Sequence, residues 1–119
     1  MKRKHKERIK LIPYRRLYKK ARAVFAKWIV CRDPKCFCCG RPSKHASHFI
    51  HRNVFDFDER INNGCCIFCN VYLHGNLGVY NMKMIDKYGY DIVEEMYRAS
   101  HEIKKFSREF LENVIEKYK

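Results

Sequence analysis

The sequence predicts a mostly helical α+β fold, with a cysteine-rich centre between a basic N-terminal helix and a long C-terminal amphipathic helix. Three observations carry that prediction. Cys36-x-x-Cys39 and Cys66-x-x-Cys69 bracket a 26-residue insert. Apolar residues recur at three- and four-residue steps from Tyr14 to Trp28 and again from Ile92 to Val114, the spacing of a helix face. Inside the insert, Ala46–Ile50 reads as a short strand. The organisation that follows is a basic arm and helix over 1–33, a four-cysteine core over 34–90, and a C-terminal helix over 91–119, for packing or dimerisation. At 119 residues the chain fits one domain, and a domain of that size gains from a metal staple.

The charge is large and uneven. The formal net charge is +13, and residues 1–30 hold twelve Lys or Arg against one Glu, +11 of that total. Such a balance points to a polyanion, nucleic acid ahead of an anionic membrane. No uninterrupted apolar segment follows Lys2, Arg3 and Lys4, so no secretory leader is expected. Ala23–Cys31 is too short to span a bilayer. The expected location is the cytoplasm (a host's, if the chain is phage-encoded), where thiols stay reduced and seven cysteines favour metal over disulfides.

Each element has a local reason. Met1–Lys10 is a basic run expected to order only along phosphates. Pro13 suits a helix start, and Tyr14, Leu17, Tyr18, Ala21, Val24, Phe25 and Trp28 form its apolar stripe. Arg15, Arg16, Lys19 and Lys20 lie on its other faces and, with Arg3 and Lys4, are the expected phosphate contacts. Asp33-Pro34 ends the helix. Gly40 suits the positive φ of a turn after Cys39. Val54–Phe57 is either a return strand or a connecting loop, and Asn62-Asn63-Gly64 reads as a turn. Cys66–Leu73 should open a helix bearing Cys69, Asn70 and His74, interrupted by Gly75-Asn76 and Gly78. A second short helix should close at Gly89. Residues 91–119 lack Gly and Pro and form one long amphipathic helix, or two with a break near Ser100.

The cysteine pairs fit zinc. Each C-x-x-C turn delivers two thiolates, and two turns complete a closed tetrahedron with no open position. Cys36, Cys39, Cys66 and Cys69 are the expected ligands of a structural Zn²⁺; an iron site of rubredoxin type is the alternative. Cys31, Cys38 and Cys65 have the wrong spacing and are read as free thiols. His45 and His51 carry the ordinary reading of surface or structural histidines. His48 differs: it lies on the strand between the knuckles, and Asn70 directly follows the last thiolate. Imidazole accepts a proton near neutral pH, and an amide oxygen suits a hard divalent ion.

Taken together, Cys36-x-x-Cys39-Gly40, Ala46-Ser47-His48-Phe49, Phe57-Asp58-Glu59-Arg60 and Cys66-x-x-Cys69-Asn70-x-x-Leu73-x-Gly75-Asn76, with Tyr80 following, resemble the lambdoid-phage NinG (Rap) recombination endonucleases. More broadly they resemble the HNH, or His-Me finger, nucleases with their ββα-metal core; phage endonuclease VII has a similar four-cysteine zinc arrangement. The resemblance covers roughly residues 34–96. It implies His48 as general base and Asn70 as a holder of catalytic Mg²⁺ or Mn²⁺, acting on Holliday junctions and other branched DNA. Many HNH enzymes carry Asp before the catalytic His, where this chain has Ser47. The second ligand of that ion is therefore open among His74, His51, Asp56 and Asp58. The Asn that braces the HNH loop would fall near Ile61, with Asn62 or Asn63 as substitutes. Arg52 and Arg60 would contact phosphates beside the scissile bond, or pair with Asp56, Asp58 or Glu59.

The leading expectation is thus a metal-dependent, structure-selective DNA endonuclease, acting as a homodimer through residues 91–119. The rivals are a zinc-stapled DNA-binding module without cleavage and a less structure-selective HNH nickase.

Overall fold

A computed structural model describes residues 12–119; the expected contacts of Arg3 and Lys4 lie outside them. Helix α1 runs Tyr14–Arg32, with Pro13 at its cap and Asp33 at its end, as the sequence predicts. Leu17, Ala21, Phe25 and Ile29 form its buried face. Strand β1, His45–His48, pairs antiparallel with β2, Asn62–Cys65, in the register His45 to Cys65 and His48 to Asn62. Between them Asn53–Phe55 makes one 3₁₀ turn, so Val54–Phe57 is connecting loop. After β2 come a π-helical turn at Phe68–Tyr72, helix α2 at Leu77–Tyr88, α3 at Tyr90–Ala99 and α4 at Arg108–Tyr118.

The two-stranded sheet separates two apolar cores. On one side Phe49, Ile61 and Cys65 pack with Tyr80 and Met84 of α2 and Val93 and Met96 of α3, beside the cysteine cluster. On the other, the buried face of α1 packs against Phe106 and against Leu111, Val114, Ile115 and Tyr118 of α4. Rings tie this second core: Phe25 and Trp28 both meet Tyr118 edge-on, with centroids 4.9 and 4.8 Å apart. No helix among the described residues is long and apolar enough to cross a membrane.

Of the two readings of residues 91–119, two helices with a break near Ser100 is the one observed: α3 ends at Ala99 and α4 begins at Arg108. Tyr14 donates its hydroxyl to the Phe106 carbonyl at 2.6 Å, and Asn53 donates to the Lys104 carbonyl at 2.6 Å. These bonds, with burial of the Phe106 ring, hold residues 104–106 out of a helix. Ser107 then caps α4 by accepting from the Phe110 N–H at 3.1 Å. Of the apolar stripe over residues 91–119, read as a dimer contact, Met96, Phe106 and Val114 are buried in the two cores and Ile92 and Ala99 partly so, while Ile103 and Phe110 are exposed.

Asn62-Asn63-Gly64 is strand rather than turn. A Cβ on Gly64 would lie 2.6 Å from Ser43 Oγ and 2.8 Å from the Asp33 carbonyl oxygen, so only glycine fits. Its N–H donates to Asp33 at 2.9 Å, and Arg32 donates to the carbonyls of Glu59 and Asn62. The end of α1 is thereby sewn to β2.

Candidate functional site

The cysteine turns are built by backbone bonds. The Gly40 N–H donates to the Cys36 carbonyl at 2.9 Å, closing the first turn with Gly40 at φ +79°. In the second, the Asn70 N–H donates to the Cys66 carbonyl at 3.0 Å, and the Cys69 N–H points at Cys66 Sγ at 3.4 Å. The Sγ atoms of Cys36, Cys39, Cys66 and Cys69 lie within 4.8 Å of one another, three of the residues buried and Cys39 exposed. Zinc–sulfur bonds of about 2.3 Å in a tetrahedron place sulfurs about 3.8 Å apart, so the four could hold a zinc ion.

The electrostatics fit a cation. Burial would raise the Cys36 thiol, but the backbone N–H groups of Cys66, Cys39 and Cys38 bring it down to about 6. Burial pushes the Cys69 thiol up, and the crowding thiols of Cys39 and Cys66 add to that. Four such thiols cannot all ionise together without a positive charge among them. The spacing argument selected the same four residues, and the buried Cys38 and Cys65 and exposed Cys31 stand outside the cluster. Asn76, left-handed at φ +47°, points its amide at Cys69 Sγ at 3.6 Å.

His48 sits in an open hollow between β1 and α1, lined by Lys19, Arg22, Asp56 and Asn62 among others. Its Nε2 lies 3.5 Å from Asp56 Oδ1, an ion-pair distance rather than a hydrogen bond. The other Asp56 oxygen accepts the Tyr18 hydroxyl. Burial alone would raise Asp56, but His48, Tyr18 and the Arg22 charge outweigh it and hold the carboxyl below its usual range. The His51 ring lies 5.6 Å from that of His48; burial, then the neighbouring His48 and Arg22, lowers its imidazole.

Asn70 meets His45, not His48. Its Nδ2 is 3.2 Å from His45 Nδ1, and both line a second hollow. The sequence offered no sign of this pairing, because it depends on the π-helical turn that carries Asn70. His74 does not continue that turn onto the face of Asn70: the helical segment ends at Tyr72, and His74 is left-handed at φ +52°. Ser47, in the place of the usual Asp, is 2% exposed and its Oγ has no hydrogen-bond partner. A group so enclosed cannot stand in for an exposed carboxylate ligand.

The remaining assignments divide. Asp58 pairs with Arg60 at 3.4 Å, the ion-pair alternative for that arginine. Arg52, Arg15, Arg16, Lys19 and Lys20 are exposed. The loop brace falls to both asparagines. Asn62 Nδ2 donates to the Phe55 and Asp58 carbonyls at 2.8 Å each, and Asn63 Nδ2 to the Arg60 carbonyl at 3.0 Å. They hold the segment that presents Asp56 to His48.

A family model described as Bacteriophage Lambda NinG protein matches residues 1–119. Neither a curated protein nor a solved structure matches the chain at a significant level. With the whole length matched, the chain belongs to the lambda-phage NinG family of recombination-associated proteins.

Proposed function

We infer that the protein is a metal-dependent, structure-selective DNA endonuclease of the His-Me finger kind, cutting Holliday junctions and related branched DNA. One observation carries the reading: His48 stands against the Asp56 carboxylate in an open hollow that Lys19 and Arg22 line. A base and a cationic wall in one hollow suit a phosphodiester. With Nε2 turned to Asp56, Nδ1 is the nitrogen left to accept a proton from water as it attacks phosphorus. Asp56 orients the ring and stabilises the imidazolium that forms. Lys19 and Arg22 attract the phosphate; the P–O3′ bond breaks, the 3′ oxygen takes a proton from solvent to leave as a hydroxyl, and the other product keeps a 5′ phosphate.

The structural Zn²⁺ would be held by Cys36, Cys39, Cys66 and Cys69, which leave it no open position for chemistry. Asn70 would hold the catalytic Mg²⁺ or Mn²⁺, with His45 the imidazole beside it. Such an ion supplies positive charge for the phosphorane and the leaving oxygen. A four-way junction has near two-fold symmetry, so a homodimer would set one His48 on each of two strands.

The test is a labelled four-way junction with Mg²⁺. His48→Ala should lose cleavage by about 10²-fold or more, the usual worth of a general base, while binding persists. A second reading, a zinc-stapled DNA-binding module without cleavage, draws on the enclosed Ser47 in the place of Asp. It prevails if wild type and His48→Ala both bind the junction and neither cuts it.

A further inference from the structure

The hollow of His48 and the hollow of His45 and Asn70 adjoin, and together form a trough between α1 and β1. Ala26 of α1 and Ala46 of β1 line both. The larger part, about 590 Å³, has Ala26, Val30 and Ala46 on its floor and Lys27 and Lys44 on opposite rims. The smaller, about 310 Å³, has Lys19 and Arg22 on the α1 side. The ion pairs among the described residues at salt-bridge distance involve none of these four cations. On α1 the lining residues are 19, 22, 23, 25, 26, 27, 30 and 31, a stripe that meets the buried face at Phe25. From Lys19 to Lys27 that stripe is about 12 Å long at 1.5 Å per residue.

We propose that this trough between α1 and β1 is the track for a single strand of the nucleic acid, held by its sugar-phosphate backbone. Small aliphatic floor residues let the sugars lie close, and the rim cations meet the phosphates. A span of about 12 Å takes roughly three phosphates. Of the rings in the lining, Phe25 is buried, His48 is paired with Asp56 and His45 with Asn70, so none is a free platform for a base. Recognition in the trough is therefore of the backbone and independent of base sequence. The track runs from His48 toward Lys27, Lys44 and Asn70. This rests on the nucleic-acid part of the reading above, but not on cleavage.

The experiment uses the full chain, its natural Cys31, and a fluorescein-labelled four-way junction. Cys31 is exposed and lines the trough. Saturating junction DNA, without Mg²⁺, should slow alkylation of Cys31 by iodoacetamide about tenfold or more; an unchanged rate overturns the track. Lys27→Ala/Lys44→Ala should weaken binding about tenfold at low salt and reduce the slope of log affinity against log salt by about 1.4–1.8, two phosphates' worth. Lys83→Ala/Lys117→Ala, an equal charge loss elsewhere, should leave Cys31 protection intact and change the slope by well under one. Equal effects of the two pairs would reduce the trough to general surface charge and overturn the proposal. Unprotected Cys31 with His48-dependent cutting sinks the track alone. Protected Cys31 with no cutting by wild type keeps the track and sinks the nuclease.

Discussion

The two sides of the small sheet are held by different physics. On the α1–α4 side the sequence supplies large apolar and aromatic surfaces: Leu17, Phe25, Ile29, Leu111, Ile115 and Tyr118 are buried against one another. On the other side the buried set includes Cys36, Cys38, Cys65, Cys66 and Cys69, small side chains that bury little area. That side also carries glycine and asparagine in left-handed turns at Gly75 and Asn76. Phe49, Ile61, Tyr80, Met84 and Met96 are buried there too, so on this side apolar packing is joined by a four-cysteine cluster that could hold a zinc ion. The lesson concerns the site. His48 sits between α1, which is stable through packing, and a hairpin whose far face borders the four-cysteine cluster.

The comparison breaks hardest at the cluster. A structural zinc contributes about 10–16 kcal/mol of apparent binding near pH 7, against about 5–15 kcal/mol for the whole stability of a small domain. Cys66→Ser should therefore unfold the chain under ordinary conditions, with zinc lost on analysis. Cys38→Ser should keep its zinc. Trp28, the single tryptophan, lies in the α1–α4 core and reports that side by fluorescence. Because the hairpin borders both cores, its signal should collapse in Cys66→Ser as well. A native Trp28 spectrum in that variant would show that the two sides fold separately.

Phe25→Ala tests the packing side. It removes a ring 2% exposed that meets Trp28, Phe57 and Tyr118. The expected loss is about 3–5 kcal/mol in chemical denaturation, with zinc content unchanged in the fraction that stays folded. Loss of zinc from folded protein would show that α1 packing shapes the cluster.

What the sequence revealed follows the same division. Helix α1, its end at Asp33-Pro34, and the Gly40 and Gly89 turns rest on local rules, and each stands where those rules put it. The four-cysteine cluster was legible because C-x-x-C spacing is itself geometry. Three features were hidden in whole or in part because distant partners decide them. The Asn62–Gly64 strand runs against local propensity and exists because Asn62 and Asn63 bond the preceding loop and Asp33 receives the Gly64 N–H. The helix break was legible near Ser100, but its extent as far as Ser107 rests on Tyr14 and Asn53, dozens of residues away. The pairing of Asn70 with His45 needs a π-helical turn, which widens the helix and moves His74 off the expected face. An apolar period cannot signal any of these.

The smallest expected effect is also the most local, and it concerns how the metal side grips β1. A tyrosine hydroxyl ties each side of the molecule to the His48 segment: Tyr18 bonds Asp56, and Tyr80 bonds the backbone of Ser47. Tyr80 is wholly buried, donates to the Ser47 carbonyl at 2.8 Å and accepts from Asn63 Nδ2 at 3.0 Å. Tyr80→Phe keeps the ring against Phe49 but strips partners from two buried groups, which should cost about 1–3 kcal/mol in chemical denaturation. The zinc cluster and the Trp28 signal should both survive. If β1 is positioned mainly from the α1 side, junction cleavage by the folded variant will be near wild type. If it falls as far as in His48→Ala while Cys31 protection persists, the position of His48 is set from the metal side, and the zinc, closed to chemistry itself, governs catalysis through Tyr80.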